Sequence, residues 1–489
     1  MGRYCSSLIL SLAWFLTTTK VHAATDLKDC LFESVGGETE RAKFSNEAGF
    51  QADHIRPYNL NFQYVPFAIL YPNSPLEVAS IVVCASQHDR KVQARSGGHD
   101  YTNNGIGGND GAIVVDVKNL NHVQLGPDGI AKVGSGNRLE DVCEKLHANG
   151  KRWMPHGSSP TVGIGGHATV GGLGLHSRLL GTSLDVMVAA EIVLEDGTIA
   201  TVSESHRPEV FWALRGAGAS FGIVTSFWFR TQPEPDAVVN FIFTVTSSEP
   251  TKLSDAFKAY HQITTNRSLD PRLSSVAIIS KDTLQISGVY FGTESEYSKV
   301  NFSRLIKGIT EQNTVTNLTW MEHMNRTFDT ISNIFPAQSY FYAKDTAVAY
   351  STLPSNDTID AVFEHLQGTD SGSKSWFVLV DLYGGAVNNV APGLTAFPHR
   401  NLAYFFAVYA QTESTTPTIT YDFVDNAVLK YQRNEPQKYL SYAGYTNLRI
   451  KGIPQQKYWG DNLPRLEKIK GAIDPGDLFS TPQSIKPRA

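Results

Sequence analysis

The stretch from Pro155 to Gly181, PHGSSPTVGIGGHATVGGLGLHSRLLG, constrains the fold of this chain more than any other. It is dense in glycine and carries almost no charge. Glycine costs conformational entropy and has no side chain to bury, so this density indicates backbone brought close to something else. The stretch lacks the Gly-Lys-Ser/Thr ending of a P-loop. It also fits a Rossmann fingerprint poorly, because that motif opens a helix after the first strand and has an acidic residue about twenty positions on. The remaining interpretation is a cluster of backbone N–H groups suited to a diphosphate or a flat ring.

Two further segments are also rich in glycine. ARSGGHDYTNNGIGGNDGAIVVDV begins at Ala94, and FWALRGAGASFGIVTSFWFR covers residues 211–230. In the first of them, His99 follows the strand-like KVQA and is therefore presented at a strand-to-loop turn. Taken alone, this segment would be a turn with a surface histidine.

Length and charge limit the classes of protein that fit. The 489 residues are enough for two or three domains with large cores. A formal net charge of −5 gives no reason to expect a nucleic-acid partner. No apolar run after the amino terminus reaches the ~20 residues that span a bilayer, so no membrane partner is expected.

The amino terminus is typical of a signal peptide covering residues 1–23. Arg3 precedes the apolar LILSLAWFL, and VHA ending at Ala23 offers the small residues that signal peptidase prefers. A first core helix is the alternative, but the apolar run is short. Secretion agrees with the N-glycosylation sequons, which begin at Asn266, Asn301, Asn317, Asn325 and Asn356.

Three cysteines remain after such a signal. Cys30 and Cys84 could pair in an oxidising compartment and tie the amino-terminal arm to the first domain. Cys143 lies on an apolar stripe of RLEDVCEKLHANG and is expected to be a buried thiol on a helix. Three cysteines without a Cys-x-x-Cys pair do not make a zinc site, and no metal is expected.

The pattern of the elements changes near residue 236. Residues 60–235 alternate short β-rich runs, such as AIVVDVKNL, with helical patterns such as PLEVASIVVCASQHDR, and VMVAAEIVLEDGTIATVS predicts two strands about an Asp-Gly turn. Beyond residue 236, longer alternating runs such as SWFVLVDLYGG and AYFFAVYAQ predict an antiparallel sheet with one covered face. A short amphipathic helix is expected near the carboxyl terminus.

Together, the three glycine-rich segments resemble those of the FAD-linked oxidases of the vanillyl-alcohol oxidase superfamily. More narrowly, they are similar to the berberine-bridge-enzyme-like group, which includes secreted fungal gluco- and chitooligosaccharide oxidases. RSGGHDY, followed about sixty residues later by PTVGIGGH, is specific to this group, and the resemblance extends to FPHR at residues 397–400 and to the carboxyl-terminal YWGDNLPRLEKIKGAIDPGDLFSTPQSI.

The resemblance implies roles for particular residues. His99 would carry the flavin covalently through the 8α-methyl carbon, Tyr442 would take the proton of the substrate hydroxyl, and Asp381 would be the carboxylate beside it. A free tyrosine, with a pKa of about 10, is a poor base unless an acceptor helps to remove its proton. Tyr101 would contact substrate, and valine at Val162 would permit oxygen to reach the flavin. The remaining cofactor-binding positions would be Arg95, Ser96, Gly97, Gly98, Ser159, Gly163, Gly165, Gly166, His167, Gly171, Gly172, Gly222 and Ile223. Without the family pattern, the three tyrosines of YLSYAGY could equally serve in packing.

The sequence departs from the group at two places. Oligosaccharide oxidases place glutamines on the substrate strands where this chain has Leu379 and Ala407, which weakens the inference to a particular sugar. Bicovalent members have a cysteine directly before the proline of HGSSP, where this chain has Ser159. A thiol offers thiolate at working pH and a hydroxyl does not, so FAD is expected to be attached through His99 alone.

The resemblance therefore implies an α+β fold. It would have a two-part FAD-binding domain of the PCMH type (24–235, with 431–489 returning to it) and a substrate domain (236–430) of antiparallel sheet flanked by helices. The expected function is a secreted monomer that oxidises the reducing-end anomeric hydroxyl of an oligosaccharide to a lactone and passes electrons to oxygen or another acceptor. One alternative is a berberine-bridge-type oxidase of secondary-metabolite alcohols or amines. Another is a flavin-binding protein without turnover, against which His99, Asp381 and Tyr442 argue.

Overall fold

The first sheet of the chain combines parallel and antiparallel pairing. The computed structural model describes residues 26–302, 312–334 and 338–488. The sheet has the order β1-β2-β4-β3, in which β1 is antiparallel to β2 and the other pairs are parallel. Its strands are β1 (Ala42–Phe44), β2 (Ala68–Leu70), β3 (Val92–Arg95) and β4 (Ile113–Asp116). Strand β3 ends at Arg95, so His99 lies in the loop at the carboxyl end of a buried strand, as predicted.

A helix and a disulfide stabilise this first sheet. Helix Pro75–Gln87 begins after Ser74, whose side chain accepts a hydrogen bond from the backbone of Glu77, and it has proline in its first turn. Its buried face packs in a core with the sheet. Cys30 and Cys84 form the expected disulfide, with Cα atoms 6.0 Å apart. Cys143 is a free, buried thiol.

A second sheet of five antiparallel strands follows, in the order β5-β6-β10-β8-β9. Its strands are β5 (Val123–Leu125), β6 (Ile130–Gly134), β8 (Met187–Val193), β9 (Ile199–Ser203) and β10 (Ile223–Arg230). The short β7 (Arg152–Trp153) pairs with β11 (Gln232–Pro233). The predicted pair of strands about the Asp-Gly turn forms β8 and β9, which are antiparallel.

The third sheet has seven strands, all antiparallel, in the order β15-β12-β14-β13-β17-β18-β16. They are β12 (Val238–Thr246), β13 (Leu273–Ile279), β14 (Thr283–Phe291), β15 (Gln312–Leu318), β16 (Tyr340–Ala349), β17 (Ser375–Leu382) and β18 (Leu402–Thr412). One face of this sheet packs in a large apolar core with helices Pro250–Thr264, Asn356–Gly368 and Thr418–Tyr431. The other face is turned toward the first half of the chain. The predicted α+β fold with an antiparallel substrate sheet is confirmed.

The carboxyl-terminal residues pack on the first half of the chain. Leu466 and Ile485 share a core with Phe211 and Phe227, and the buried Lys470 ammonium donates to the backbone carbonyl of Ser220. The remaining helices are Leu27–Glu33, Leu139–Gly150, Ile164–Val170, Ser177–Leu180, Pro208–Ala217, Glu294–Val300, Trp320–Ile334, Pro454–Trp459 and Leu463–Ile473.

The structure describes the predicted glycosylation sites but not the predicted signal peptide. The predicted signal, residues 1–23, lies outside the described residues. The five sequon asparagines are all exposed, and their glycosylation remains a prediction. Over the ranges 26–302, 312–334 and 338–488, no helix combines the length and apolar character required to cross a bilayer.

Candidate active site

A cavity of about 430 Å³ lies between the glycine-rich segments of the first half and the free face of the seven-stranded sheet. His99, Asp381 and Tyr442 all line it. They come from the loop after β3, from strand β17 and from the carboxyl-terminal segment. The cavity is therefore where the three parts of the chain meet.

His99 is held at the cavity wall as a neutral imidazole. Its Nε2 lies 2.9 Å from the hydroxyl oxygen of Thr161, and its ring lies 4.5 Å from that of Tyr58. Burial, with a smaller contribution from the positive charge of Arg138, lowers the pKa of His99 to about 4. At neutral pH the ring therefore carries one N–H and one free lone pair, which is the state that a nucleophilic histidine requires.

Two glycine-rich segments touch each other beside His99. A Cβ atom added to Gly97 would lie 2.1 Å from the backbone nitrogen of Gly163, and one added to Gly163 would lie 2.1 Å from that of Gly97. Neither contact leaves room for a side chain. Glycine at these two positions therefore allows the backbones on either side of the cavity to meet.

Polar side chains reinforce this junction. Ser96 Oγ donates to the carbonyl of Ser135 at 2.6 Å and accepts a hydrogen bond from the backbone of Gly165 at 3.3 Å. Arg138 donates to the carbonyl of Ser96 at 2.5 Å. Arg95 is buried and its guanidinium pairs with Asp116 at 2.7 Å, so this predicted cofactor residue has a structural partner of its own.

Several buried polar atoms along this part of the cavity have no hydrogen-bond partner among the residues that the structure describes. They are Gln93 Nε2, Asn104 Oδ1 and Ser135 Oγ, and the residues that carry them line the cavity. A buried polar atom without a partner costs free energy, so each is suited to a polar group of a bound molecule. Together with the close-approach glycines, these atoms fit the ribityl, diphosphate and ring polar groups of a flavin dinucleotide.

Tyr442 is the best-positioned candidate base. Its backbone N–H donates to Asp345 Oδ2 at 2.8 Å, and a Cβ added to Gly171 would lie 3.1 Å from its hydroxyl oxygen. Burial raises the pKa of Tyr442 well above its usual value, whereas hydrogen bonds from the backbone of Gly172 and Leu173 act in the opposite direction. Those two bonds favour the phenolate, so the site lowers part of the cost of removing the proton.

Two carboxyl groups near this part of the cavity, the buried Asp345 and the half-buried Asp381, form no ion pair with the residues that the structure describes. Burial raises the pKa of Asp381 to about 7. Burial also raises the pKa of Asp345 to about 7, although the hydrogen bond from Tyr442 N–H opposes the shift. Asp381 lines the cavity, whereas Asp345 is not among the described lining residues. Asp381 is therefore the one placed to exchange a proton with a bound molecule.

Aromatic rings form one wall of the cavity beside His99, since Tyr58, which contacts the His99 ring, also stacks with Tyr101. Tyr101 and Tyr445 are stacked with ring centroids 5.2 Å apart, and the hydroxyls of Tyr101 and Tyr409 lie 2.7 Å apart. Leu379 and Ala407 belong to the same apolar cluster. This end of the cavity therefore offers flat, largely apolar surfaces to a ligand.

The structure brings most of the predicted site residues to one cavity. The predicted residues that line it are His99, Asp381, Tyr442, Arg95, Ser96, Gly97, Gly98, Tyr101, Ser159, Val162, Gly163, Gly165, Gly166, His167, Gly222 and Leu379. Gly171, Gly172, Ile223 and Ala407 are not among the described lining residues. Gly171 and Gly172 lie behind Tyr442, while Ile223 and Ala407 are buried in the core.

Asp345 and Tyr445 were not predicted as site residues from the sequence. Asp345 interrupts the apolar alternation of β16, and a charged residue at a buried strand position was the available signal. Tyr445 was one of the three tyrosines of YLSYAGY, and nothing in the sequence distinguished its role from packing.

Comparison with known proteins adds two family models and close relatives. An FAD binding domain model matches residues 66–203, and a model described as berberine and berberine like matches residues 441–486. The chain is 34% identical to the FAD-linked oxidoreductase sorD of Penicillium rubens, over 96% of this chain and 100% of that protein. It is 32% identical to a chitooligosaccharide oxidase of Gibberella zeae, over 88% of this chain and 89% of that protein.

Solved structures with the same fold are also found. A xylooligosaccharide oxidase from Myceliophthora thermophila in complex with xylobiose has a TM-score of 0.86 and 28% identity, and covers 95% of this chain and 100% of that chain. A glucooligosaccharide oxidase from Acremonium strictum, described with a 6-S-cysteinyl, 8α-N1-histidyl FAD, also has a TM-score of 0.86, with 26% identity over 95% of this chain and 100% of that chain.

Proposed function

Because the chain belongs to the family of FAD-linked oxidoreductases with a berberine-like carboxyl-terminal segment, we propose that it oxidises the reducing-end anomeric hydroxyl of an oligosaccharide to a lactone. Electrons then pass to oxygen or another acceptor. The prediction of an FAD-linked enzyme acting on CH–OH groups is confirmed. The observation that carries the proposal is that His99, Tyr442 and Asp381 line a single cavity.

FAD is the cofactor that the family model requires, and its attachment to His99 alone is part of the proposal. When bound, FAD supplies the acceptor for the hydride that leaves the anomeric carbon. The residues suited to hold it are the Gly97–Gly163 junction, the unpartnered Gln93, Asn104 and Ser135, and the neutral His99.

Tyr442 and Asp381 together remove the proton of the substrate's anomeric hydroxyl. Tyr442 Oη takes the proton of the anomeric hydroxyl as the carbon loses its hydride, so that the C–O bond becomes a carbonyl. A tyrosine with a raised pKa cannot remain ionised in the resting protein, so its own proton must leave to an acceptor. Asp381, whose pKa of about 7 keeps it partly ionised at neutral pH, is suited to accept it.

A second candidate function is supported by the aromatic wall. Leu379 and Ala407 lie in an apolar cluster with Tyr409 and Phe341, at the positions where sugar oxidases were expected to place glutamine. Such a surface also suits a flat alcohol or amine of the berberine-bridge kind. A flavin-binding protein without turnover would have no use for Tyr442 and Asp381 in the same cavity.

Anaerobic mixing of the purified holoenzyme with a substrate panel tests the choice. Bleaching of the flavin by cellobiose or chitobiose, with the lactone detected by mass spectrometry, is the expected result. Bleaching only by small aromatic alcohols or amines would select the second function. If no compound bleaches the flavin, while dithionite does, the protein is a binder.

The pH dependence of flavin reduction should report the carboxyl group. Because burial raises the pKa of Asp381 to about 7, its carboxylate form is lost as the pH falls through that value. The rate of anaerobic reduction should therefore rise with pH and level off above about 7, falling about tenfold per unit well below it. Asp381→Asn should slow reduction and remove this dependence, whereas Asp345→Asn should keep it. The reverse pattern would assign the ionisation to Asp345.

Because residue 159 is a serine, the flavin should have a single covalent bond to the protein. A proteolytic digest should yield flavin on the peptide containing His99 and none on the peptide containing Ser159, since a hydroxyl supplies no thiolate. Ser159→Cys should acquire the second linkage and a raised midpoint potential, and Ser158→Cys, which also places a thiol at the cavity wall, should not. A second linkage in the wild type would contradict this prediction, as would a linked Ser159→Cys protein with an unchanged potential.

Secretion and a monomeric state are also proposed. The Cys30–Cys84 disulfide and the exposed sequons suit an oxidising compartment.

A further inference from the structure

The cavity continues from Asp381 along the face of the seven-stranded sheet that is turned toward the first half of the chain. Asp381 pairs with Val276, Val276 with Ser287, Ser287 with Ile242 and Ile242 with Thr314. All five line the cavity, and directly paired residues lie on the same face of a sheet. Neighbouring strands are about 4.8 Å apart, so this row extends about 19 Å from the reaction centre.

The far end of this row differs chemically from the aromatic wall. Its lining is rich in hydroxyl and amide groups, from Asn240, Ser287, Thr314, Thr316, Thr327 and Thr330. The described lining at this end contains no carboxyl group and one cationic side chain, that of Arg326. A long, neutral, hydroxyl-bearing ligand fits such a surface better than an apolar one does.

Asn240 presents a hydrogen-bond donor at this end. His323 Nδ1 lies 2.9 Å from Asn240 Oδ1. His323 is buried, and burial lowers its pKa to about 3, so the ring is neutral. Its Nε2 has no partner within the described part of the chain, and an orphaned buried N–H is rarer than an orphaned acceptor, so the proton belongs on Nδ1. His323 therefore donates to Asn240 Oδ1 and fixes the amide.

The amide nitrogen of Asn240 is then the free group. It makes no hydrogen bond with the residues that the structure describes, although the side chain is largely buried, with 9% exposed. Ser274 provides a second, independent observation. Ser274 is fully buried and lines the same cavity. Its Oγ has no hydrogen-bond partner among the described residues. Asn240 and Ser274 both pair with Val289, so they lie on the same face, two strands apart, with Ser274 on the strand next to the one that carries Asp381.

We propose that Ser274 and Asn240, one and three strands from Asp381, hydrogen-bond the hydroxyl groups of successive sugar units beyond the one being oxidised, with Asn240 as the distal subsite and His323 as the residue that positions its amide. The proposal rests on the proposed function, because it names the part of an oligosaccharide that this surface recognises. Asn240 is on β12, three strands from Asp381 on β17, or about 14 Å across the sheet. Its contact is therefore made with a tri- or tetrasaccharide and not with a disaccharide.

Calorimetric titration of the dithionite-reduced holoenzyme measures binding without turnover. The probes are cellobiose with cellotetraose and chitobiose with chitotetraose, judged on the series whose disaccharide bleaches the oxidised flavin. The tetrasaccharide should bind more tightly than the disaccharide to the wild type. Asn240→Ala should weaken tetrasaccharide binding by about three- to tenfold, the loss expected for one neutral hydrogen bond, and leave disaccharide binding unchanged.

Two further variants separate positioning from folding. His323→Leu should reproduce the loss seen with Asn240→Ala, and the double variant should lose no more than either alone, because both act through one amide. Thr244→Ala is the matched control, since Thr244 lies on β12 on the same face but is not among the described lining residues. Unchanged melting temperatures would show that Asn240→Ala and Thr244→Ala fold.

The outcomes distinguish this subsite from the proposed function. If neither disaccharide bleaches the oxidised flavin, the proposed function is wrong and the subsite is rejected with it. If a disaccharide bleaches the flavin but the tetrasaccharide binds no more tightly, the subsite alone is wrong. The subsite is also wrong if the difference in affinity between tetrasaccharide and disaccharide is as large for Asn240→Ala as for the wild type.

Discussion

Replacing Tyr442 with phenylalanine should slow anaerobic flavin reduction by about 10²–10⁴-fold, the loss typical for a positioned general base. FAD should remain bound, because the ring of Tyr442 and its backbone bond to Asp345 are both retained. The hydroxyl oxygen alone is lost, and with it the atom that the backbone of Gly172 and Leu173 stabilises. Stopped-flow absorbance of the holoenzyme with saturating substrate measures the effect.

Tyr445→Phe is the matched control for this variant. Tyr445 lines the same cavity and its ring lies 5.2 Å from that of Tyr442, but it stacks on Tyr101 and has no assigned proton. Its variant should reduce the flavin within a few-fold of the wild-type rate. If Tyr442→Phe were reduced at the wild-type rate, another group would be the base.

Replacing His99 with alanine should release all of the flavin from the polypeptide after acid precipitation. The hydroxyl of Thr161 lies 2.9 Å from Nε2, so a proton on Nε2 can be donated to it and the lone pair of Nδ1 is left free. Attachment through Nδ1 would keep that hydrogen bond intact, and this is the attachment we predict. Activity should fall as well, while folding should persist, because His99 is only partly buried.

Thr161→Val tests the orientation part of this prediction. It removes the acceptor for Nε2–H but keeps His99, so covalent attachment should become slower without being lost. The yellow colour of the precipitated protein and the mass of the His99 peptide measure both variants. Colour that still precipitates with His99→Ala would show that the linkage is elsewhere.

Much of the architecture could be predicted because it depends on local patterns. The apolar stripe of RLEDVCEKLHANG predicts helix Leu139–Gly150, and the alternation beyond residue 236 predicts the antiparallel sheet. His99, Asp381 and Tyr442 were assigned through a family resemblance, because no local pattern places residues so distant in sequence at one cavity. Their roles remain predictions.

Contacts between elements that are far apart in sequence could not be predicted. The bond from Tyr442 N–H to Asp345 joins residues on separate segments, and neither segment indicates the other. The same applies to the donation from His323 to Asn240, which connects a helix to strand β12. The ion pair of Arg95 with Asp116 is a further contact between distant residues, and the predicted role of Arg95 in cofactor binding remains a prediction.

The return of the carboxyl-terminal residues to the first half has a consequence for biosynthesis. A ribosome makes the loop around His99 early, whereas Tyr442 emerges more than 300 residues later. Its neighbours Leu466 and Ile485 complete the core that holds Phe211 and Phe227. A chain cut before Tyr442 therefore lacks both the proposed base and part of this core. The proposed oxidation can begin only after residues 442–485 have been made and have packed on the first half of the chain.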